Sequence, residues 1–349
     1  MNNKIMNFGV LTGVKKAEVK QRRIPELGDN DILVKLQSCN ICTTDYGQWL
    51  GLRNHQPFPM AGGHENSGIV VEKGCKVRDD LNIGDHVGFS YYYCGECEEC
   101  RQGNTVDCKG FKIELSDDGY YGLFGFADYK VINAKFAVKI NKNIPSAEAG
   151  FLEPLATVIQ GVKRLNIKPL DKVVVVGAGT MGLINAQVAR LYGGKVIITE
   201  MMERKIERAK KLGFEDIVDV SKDNPVDAVM ELTEKKGADI VILAVGATSA
   251  NEQAFQMLKN YRGKILFFAA GYPEPDLKIS SNELHYRKLE LIGTFGASIQ
   301  DFKESAEIIS QGKVNMEPLL EDSFKLSDIQ EAFESASTPG NYRVTVNLE

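Results

Sequence analysis

Four consecutive valines, Val173-Val174-Val175-Val176, run directly into Gly177-Ala178-Gly179-Thr180-Met181-Gly182, and a helix-period segment from Leu183 to Tyr192 follows. An unbroken β-branched run reads as a strand buried on both faces, and so as part of a parallel sheet covered by helices. A G-x-G-x-x-G set between such a strand and a helix is far more restrictive than the motif alone. Its first glycine permits the tight turn, its second lets backbone approach a pyrophosphate, and its third lets helix pack on strand, with phosphates at the helix N-terminus. Gly177, Gly179, Thr180, Met181 and Gly182 are therefore expected to cradle a dinucleotide.

The surrounding pattern agrees. Further strands are expected at 195–199, 216–219, 239–244, 264–268 and 289–294, alternating with helical segments, so that six strands complete a doubly wound α/β sheet. One of these helices opens at Asn224-Pro225, a capping residue followed by proline at the first helical position, and is expected to reach about Lys236 before Gly237 stops it. Glu200 ends the second strand, eighteen residues beyond Gly182, where a carboxylate accepts the adenosine ribose hydroxyls and repels a 2′-phosphate. That favours NAD over NADP, although Arg204 and Lys205 follow closely and pull the other way; Lys205 is counted among the cofactor contacts.

The first 150 residues have a different texture, with short apolar runs such as Ile32–Leu36 and Ser67–Glu72 separated by Gly- and Asp-containing turns, an all-β pattern. A chain of 349 residues exceeds the usual size of one core, so two abutting domains are expected. Near the end, Ser327-Asp328-Ile329-Gln330 reads as a capping box for a late helix and Tyr342 to Leu348 as a closing strand. The net charge of -5 leaves no basic surplus to neutralise nucleic-acid phosphates or anionic lipid. Nor does Met1 to Asn7 carry an apolar leader core, or any stretch hold eighteen uncharged apolar residues together. A soluble, cytoplasmic protein without nucleic-acid or membrane partners is expected.

Seven cysteines are present, and Cys94, Cys97, Cys100 and Cys108 are spaced C-x2-C-x2-C-x7-C. In a reducing compartment such clustering means metal ligation rather than disulfides. Four thiolates suit a tetrahedral zinc with no open position, holding a lobe too poor in apolar residues to fold alone. An iron–sulfur cluster is the competing reading, although the last spacing differs from the ferredoxin run and no proline follows Cys108. A second constellation is Cys42-Thr43-Thr44-Asp45 with Gly63-His64-Glu65 and Glu153-Pro154-Leu155-Ala156. Each part alone has a bland explanation in the core. Together they offer thiolate, imidazole and carboxylates for a three-ligand catalytic zinc that keeps a position for water or substrate.

With these motifs assembled in this order, the chain closely resembles the zinc-containing medium-chain alcohol dehydrogenases, and within them the sorbitol and polyol dehydrogenase-like branch. The resemblance implies a GroES-like, mostly-β catalytic domain at 1–149 and 296–349, with the zinc lobe at about 90–110 and a Rossmann NAD-binding domain inserted at 150–295. It implies that Cys42 and His64 bind the catalytic zinc with Glu65 or Glu153 as third protein ligand, and that Asp45 orients His64. Thr44 matches the hydroxyl that takes the alcohol's proton, while Thr157, Thr294, Phe295 and Gly296 would lie along the nicotinamide. Two positions depart from the pattern. Gly47 stands where many relatives have a relay histidine, and Gly296 where sorbitol dehydrogenases place an arginine near the substrate.

The expected activity is hydride transfer between a secondary alcohol of a polyol or sugar-like substrate and NAD, in a homo-oligomer of two or four copies. An L-threonine 3-dehydrogenase or butanediol-type enzyme is the rival within the class, and a non-catalytic zinc- and dinucleotide-binding protein the rival outside it, since a fold does not fix function. Trp49 and Phe58, close in sequence to the zinc motifs, are either pocket walls or ordinary core.

Overall fold

A computed structural model of the chain describes residues 4–113 and 115–349. Residues 1–3, part of the stretch read above for a leader, lie outside the described residues. The backbone divides into two units, one made of Met1–Ala156 with Ala297–Glu349 and the other of Thr157–Gly296, so the second interrupts the first in sequence.

In the continuous unit, six parallel strands lie in the order Ile217–Asp219, Lys195–Glu200, Lys172–Val176, Ile240–Leu243, Lys264–Phe267 and Glu290–Gly293. This is the doubly wound order in which the two halves meet beside the first strand, at the carboxyl edge where ligands bind. Val173, Val174 and Val175 are fully buried, each stabilising the sheet by about 1.5–3 kcal/mol relative to an exposed side chain. The helix Thr180–Leu191 starts directly from the glycine turn. A second helix is capped as its sequence implies, Asn224 Oδ1 accepting from the Val226 and Asp227 N–H groups, but it ends at Leu232 rather than Lys236. Beyond it, Glu234 and Lys235 adopt left-handed φ values of 53° and 61° and the Gly237 N–H turns to the Thr233 hydroxyl, so the chain is already turning.

The interrupted unit is built on a mostly antiparallel sheet running Leu320–Lys325, Arg343–Asn347, Asp31–Asn40, Glu65–Lys73, His86–Phe89 and Ala137–Lys139, with Tyr129–Asn133 also paired to Asp31–Asn40. A smaller sheet runs Lys16–Arg23, Ile5–Gly13, Met60–Ala61 and Tyr121–Gly122. Trp49 is 4% exposed and packs against Phe333, with ring centroids 6.1 Å apart, so it is core rather than pocket wall. Phe58 packs on the same cluster.

The capping box expected at Ser327–Gln330 does not form. Leu326–Asp328 is a 3₁₀ turn, the helix is Ile329–Ala336, and the Ser327 hydroxyl donates to Asp328 Oδ1. Gln330 instead reaches the hairpin of the smaller sheet, accepting from Ala17 N–H at 2.8 Å. A long-range backbone donor has outcompeted the local cap. Among the described residues no helix is long and apolar enough to cross a membrane.

Candidate active site

Strand register gathers the candidate ligands. Asn40 closes its strand paired to Glu65 on one side and to Thr345 on the other. Cys42 lies two residues beyond Asn40, and Arg343 two residues before Thr345 on the same face of its strand. Cys42, His64 and Glu65 thereby present a sulfur, an imidazole nitrogen and a carboxylate oxygen all within 4.8 Å of one another.

Asp45 ties two of these segments together. In the first turn of the helix Thr43–Trp49 its Oδ2 accepts from the N–H of the capping residue Cys42 at 3.1 Å, and its Oδ1 accepts from Gly63 N–H at 3.2 Å. The same carboxylate stands 3.5 Å from His64 Nδ1, which leaves Nε2 for a ligand.

The two glutamates have different partners. Glu65 is fully buried and held by the Arg343 guanidinium, with Nε at 2.8 Å from Oε2 and Nη2 at 2.7 Å from Oε1. Arg343 Nη2 also lies 3.6 Å from Cys42 Sγ. Glu153 lies in the first turn of the helix Leu152–Leu165 and accepts at Oε1 from the Tyr91 hydroxyl. Burial raises the Glu153 pKa while His64 pulls it down. Neither Arg343 nor Tyr91 was marked by sequence reasoning. Tyr91 opens a run of three tyrosines before Cys94 and Arg343 opens the closing strand, and neither pattern points to a partner so far away in the chain.

The donor set fits zinc. Sulfur, nitrogen and oxygen converge as in three-ligand zinc sites, and the negative groups outnumber the positive. Against the desolvation that would lower it, His64 is pushed well above the usual imidazole range by Asp45, Cys42 and Glu153. A divalent cation among these groups balances that surplus.

The four lobe cysteines also lie within 4.8 Å of one another, with Cys94 and Cys100 sulfurs 3.9 Å apart. A tetrahedral ion bound at about 2.3 Å separates its sulfurs by nearly that distance. Cys94 Sγ accepts from the Glu96 and Cys97 N–H groups, and Cys108 Sγ from Cys94 N–H, an arrangement suited to thiolates. Gly110 is required beside them, because a Cβ there would lie 2.7 Å from Cys94 Sγ. Cys97→Ser is expected to remove one zinc per chain and lower the melting temperature, since structural metal binding is itself folding free energy. An unchanged melting curve would exclude a structural role for the lobe.

In the other unit, Gly177 has a φ of +96°, and a Cβ on Gly182 would lie 1.9 Å from the Gly177 carbonyl oxygen. Both positions demand glycine. Glu200 Oε2 accepts from Ala178 N–H at 2.8 Å, within the glycine loop, while Oε1 accepts from the N–H groups of Met201 and Met202. Its carboxylate thus braces the turn from below, and Lys205 Nζ stands 3.9 Å from where a Gly179 Cβ would be. Thr180 is buried and Met181 half-buried in the first turn of the helix. Thr294 donates to Gln160, one turn along the helix from half-buried Thr157. Phe295 is 88% exposed, and Gly296 has a φ of +69°, which disfavours the arginine expected of a sorbitol enzyme.

Two family models match the chain. Residues 28–142 match the model of the alcohol dehydrogenase GroES-like domain, and 180–311 that of the zinc-binding dehydrogenases. An L-threonine 3-dehydrogenase of Shewanella woodyi is 30% identical over 334 residues, covering 93% of this chain and 94% of its own. A zinc-type alcohol dehydrogenase-like protein of Haemophilus influenzae is 29% identical, covering 93% of each chain. Among solved structures, a protein of Sinorhizobium meliloti described as a zinc-binding dehydrogenase and bound to NADP superposes with a TM-score of 0.88 at 27% identity over 99% of each chain. Benzyl alcohol dehydrogenase of Acinetobacter calcoaceticus gives 0.87 at 25% identity, over 99% of this chain and 100% of its own.

Proposed function

The chain belongs to the zinc-dependent alcohol dehydrogenases, oxidoreductases acting on CH–OH groups, and from that premise we propose that it moves a hydride between a secondary alcohol of a polyol or sugar-like substrate and NAD. The observation that carries the proposal is the convergence of Cys42, His64 and Glu65 with Thr44 on the adjoining helix. On this proposal the interrupted unit holds the alcohol and the continuous unit holds the dinucleotide.

Cys42, His64 and Glu65 would hold the catalytic zinc, with Glu153 kept beside them by Tyr91. Zinc bound there would supply Lewis acidity that makes an alcohol easier to deprotonate near neutral pH. Thr44 takes the alcohol's proton, its hydroxyl both accepting and donating. Arg343 offsets part of the Glu65 charge, and Asp45 keeps His64 in one tautomer. The glycine turn, Lys205 beside Gly179 and Glu200 would hold NAD, with Thr157, Thr294, Phe295 and Gly296 toward its nicotinamide, and NAD bound there would supply the hydride acceptor. A homo-oligomer in the cytoplasm completes the proposal, since seven free cysteines suit a reducing compartment.

The threonine dehydrogenases among the 30% relatives favour a second substrate, an amino acid bearing a secondary hydroxyl. An NADH-production screen over free and phosphorylated polyols, sugars, diols and threonine decides between them. Turnover confined to threonine would overturn the polyol assignment, and none at all with both zinc sites filled would favour a non-catalytic protein.

NAD is expected to be preferred to NADP, and Glu200→Ala to narrow that preference about tenfold or more, while weakening both cofactors because the Ala178 amide loses its brace. A wild type that favours NADP would show that Arg204 and Lys205 outweigh the carboxylate.

A further inference from the structure

Directly after the helix Thr43–Trp49 the chain folds back onto it. The Gly47 carbonyl accepts from Leu52 N–H at 2.9 Å and from Arg53 N–H at 3.3 Å. The buried Gln48 carboxamide fastens the rest of the loop, its Oε1 accepting from His55 and Gln56 N–H at 2.7 and 3.3 Å and its Nε2 donating to the Gln56 carbonyl at 2.9 Å. Clipped in this way, Arg53 sends its side chain across the bare Cα of Gly47. A Cβ there would lie 3.0 Å from Arg53 Cδ and 3.3 Å from Cγ. At the far end, Arg53 Nη1 donates to Thr44 Oγ1 at 3.0 Å.

We propose that Arg53 is a positioning residue for the alcohol chemistry, acting through Thr44. The inference rests on the role given above to Thr44 as the group that takes the alcohol's proton. A threonine hydroxyl has one hydrogen and two lone pairs, and a guanidinium only donates and keeps its protons. With one lone pair filled by Arg53, the hydroxyl hydrogen is confined to the two remaining staggered positions. One of these positions leaves the second lone pair for an incoming O–H while the hydrogen is donated onward. As the alcohol's proton moves onto Thr44 Oγ, the proton already there leaves to water, and the hydride would be taken up by the NAD of the proposed reaction. Arg53 gains and loses nothing; it fixes the direction of the relay.

Gly47 acquires a reason at the same time. A larger residue at that position meets the Arg53 stem, so a chain with a side chain there cannot lay an arginine along the same path without shifting it. The residue that departs from the family's pattern and the arginine that fills its place form one device.

The test is a double-mutant cycle in the zinc-loaded, full-length enzyme: wild type, Arg53→Gln, Thr44→Val and the double variant, with Arg53→Lys alongside. Turnover number and KM are read with NAD and the best alcohol of the screen, together with zinc content and melting temperature. Arg53→Gln is expected to lower the turnover number about 10- to 100-fold, the scale of loss that follows from misplacing a reacting group. KM should stay within about twofold, with both zinc ions retained. Arg53→Lys should recover part of the rate, since an ammonium on a similar stem still donates. In the Thr44→Val background, Arg53→Gln should cost no more than about twofold further, because residues acting through one another are not additive. Additive losses, an unchanged rate in Arg53→Gln, or a fall in rate that tracks melting temperature without rescue by lysine would each overturn the proposal. Wild type inactive across the whole panel would instead remove the alcohol chemistry itself, and additive losses in an active enzyme remove only the part given to Arg53.

Discussion

His64→Ala is expected to lower turnover by about 10³- to 10⁴-fold or more, because Lewis-acid assistance is worth several kcal/mol of barrier and each 1.4 kcal/mol is about tenfold. Zinc should fall from about two ions per chain to about one. NADH binding, followed by fluorescence titration, should stay nearly intact, since the glycine turn and Glu200 belong to the continuous unit. The local fold should also survive. Asp45 keeps its hold on the Cys42 and Gly63 N–H groups when the imidazole is gone. A variant that retained both its second zinc and its rate would mean a metal-independent reaction on this scaffold.

The second large effect belongs to a residue outside the motifs. Arg343 and Glu65 are 5% and 0% exposed, and both carboxylate oxygens of Glu65 take hydrogen bonds from the one guanidinium. In the metal-free protein, Arg343→Met leaves the buried Glu65 carboxylate without its guanidinium, and removing one member of such a pair costs about 3–5 kcal/mol. Chemical unfolding of the interrupted unit should show that loss, and zinc at Cys42 should bind more weakly as Glu65 turns away. Arg343→Lys should fall between, keeping the charge but losing the two-pronged fork. A stability within about 1 kcal/mol of wild type would show that the Arg343–Glu65 pair does not hold this unit together.

How much of this was legible depended on the distance over which each residue acts. The glycine turn could be read because its demands are local: Gly177 needs its own φ, and Gly182 is crowded by a carbonyl five residues back. The lobe was legible for the same reason, its four thiols falling within fifteen positions. Cys42, His64 and the two glutamates could be grouped from their residue types, but which of them meet was hidden, because strand pairing across Asn40 brings Cys42 and Glu65 together. Arg343 was beyond reach, since nothing near residue 343 refers to residue 65. Arg53 was missed although only nine residues from Thr44, because its meaning depends on the absence of a side chain at Gly47. The failed capping box at Ser327–Gln330 shows the converse, a local pattern dissolved by a backbone donor at Ala17 more than three hundred residues away.

The interruption of one unit by the other sets an order of events during synthesis. Residues 157–296 have left the ribosome, and can pair their six parallel strands, before Arg343 exists. Until then Glu65 lacks the Arg343 guanidinium, and the strand Asp31–Asn40 leaves the edge that will take Arg343–Asn347 unpaired. The half-made interrupted unit therefore spends that interval with an open sheet edge and with Glu65 lacking its arginine. Such a nascent chain is exposed to misassembly and to premature capture of metal by its thiols, and its yield should depend on how quickly the last strand arrives.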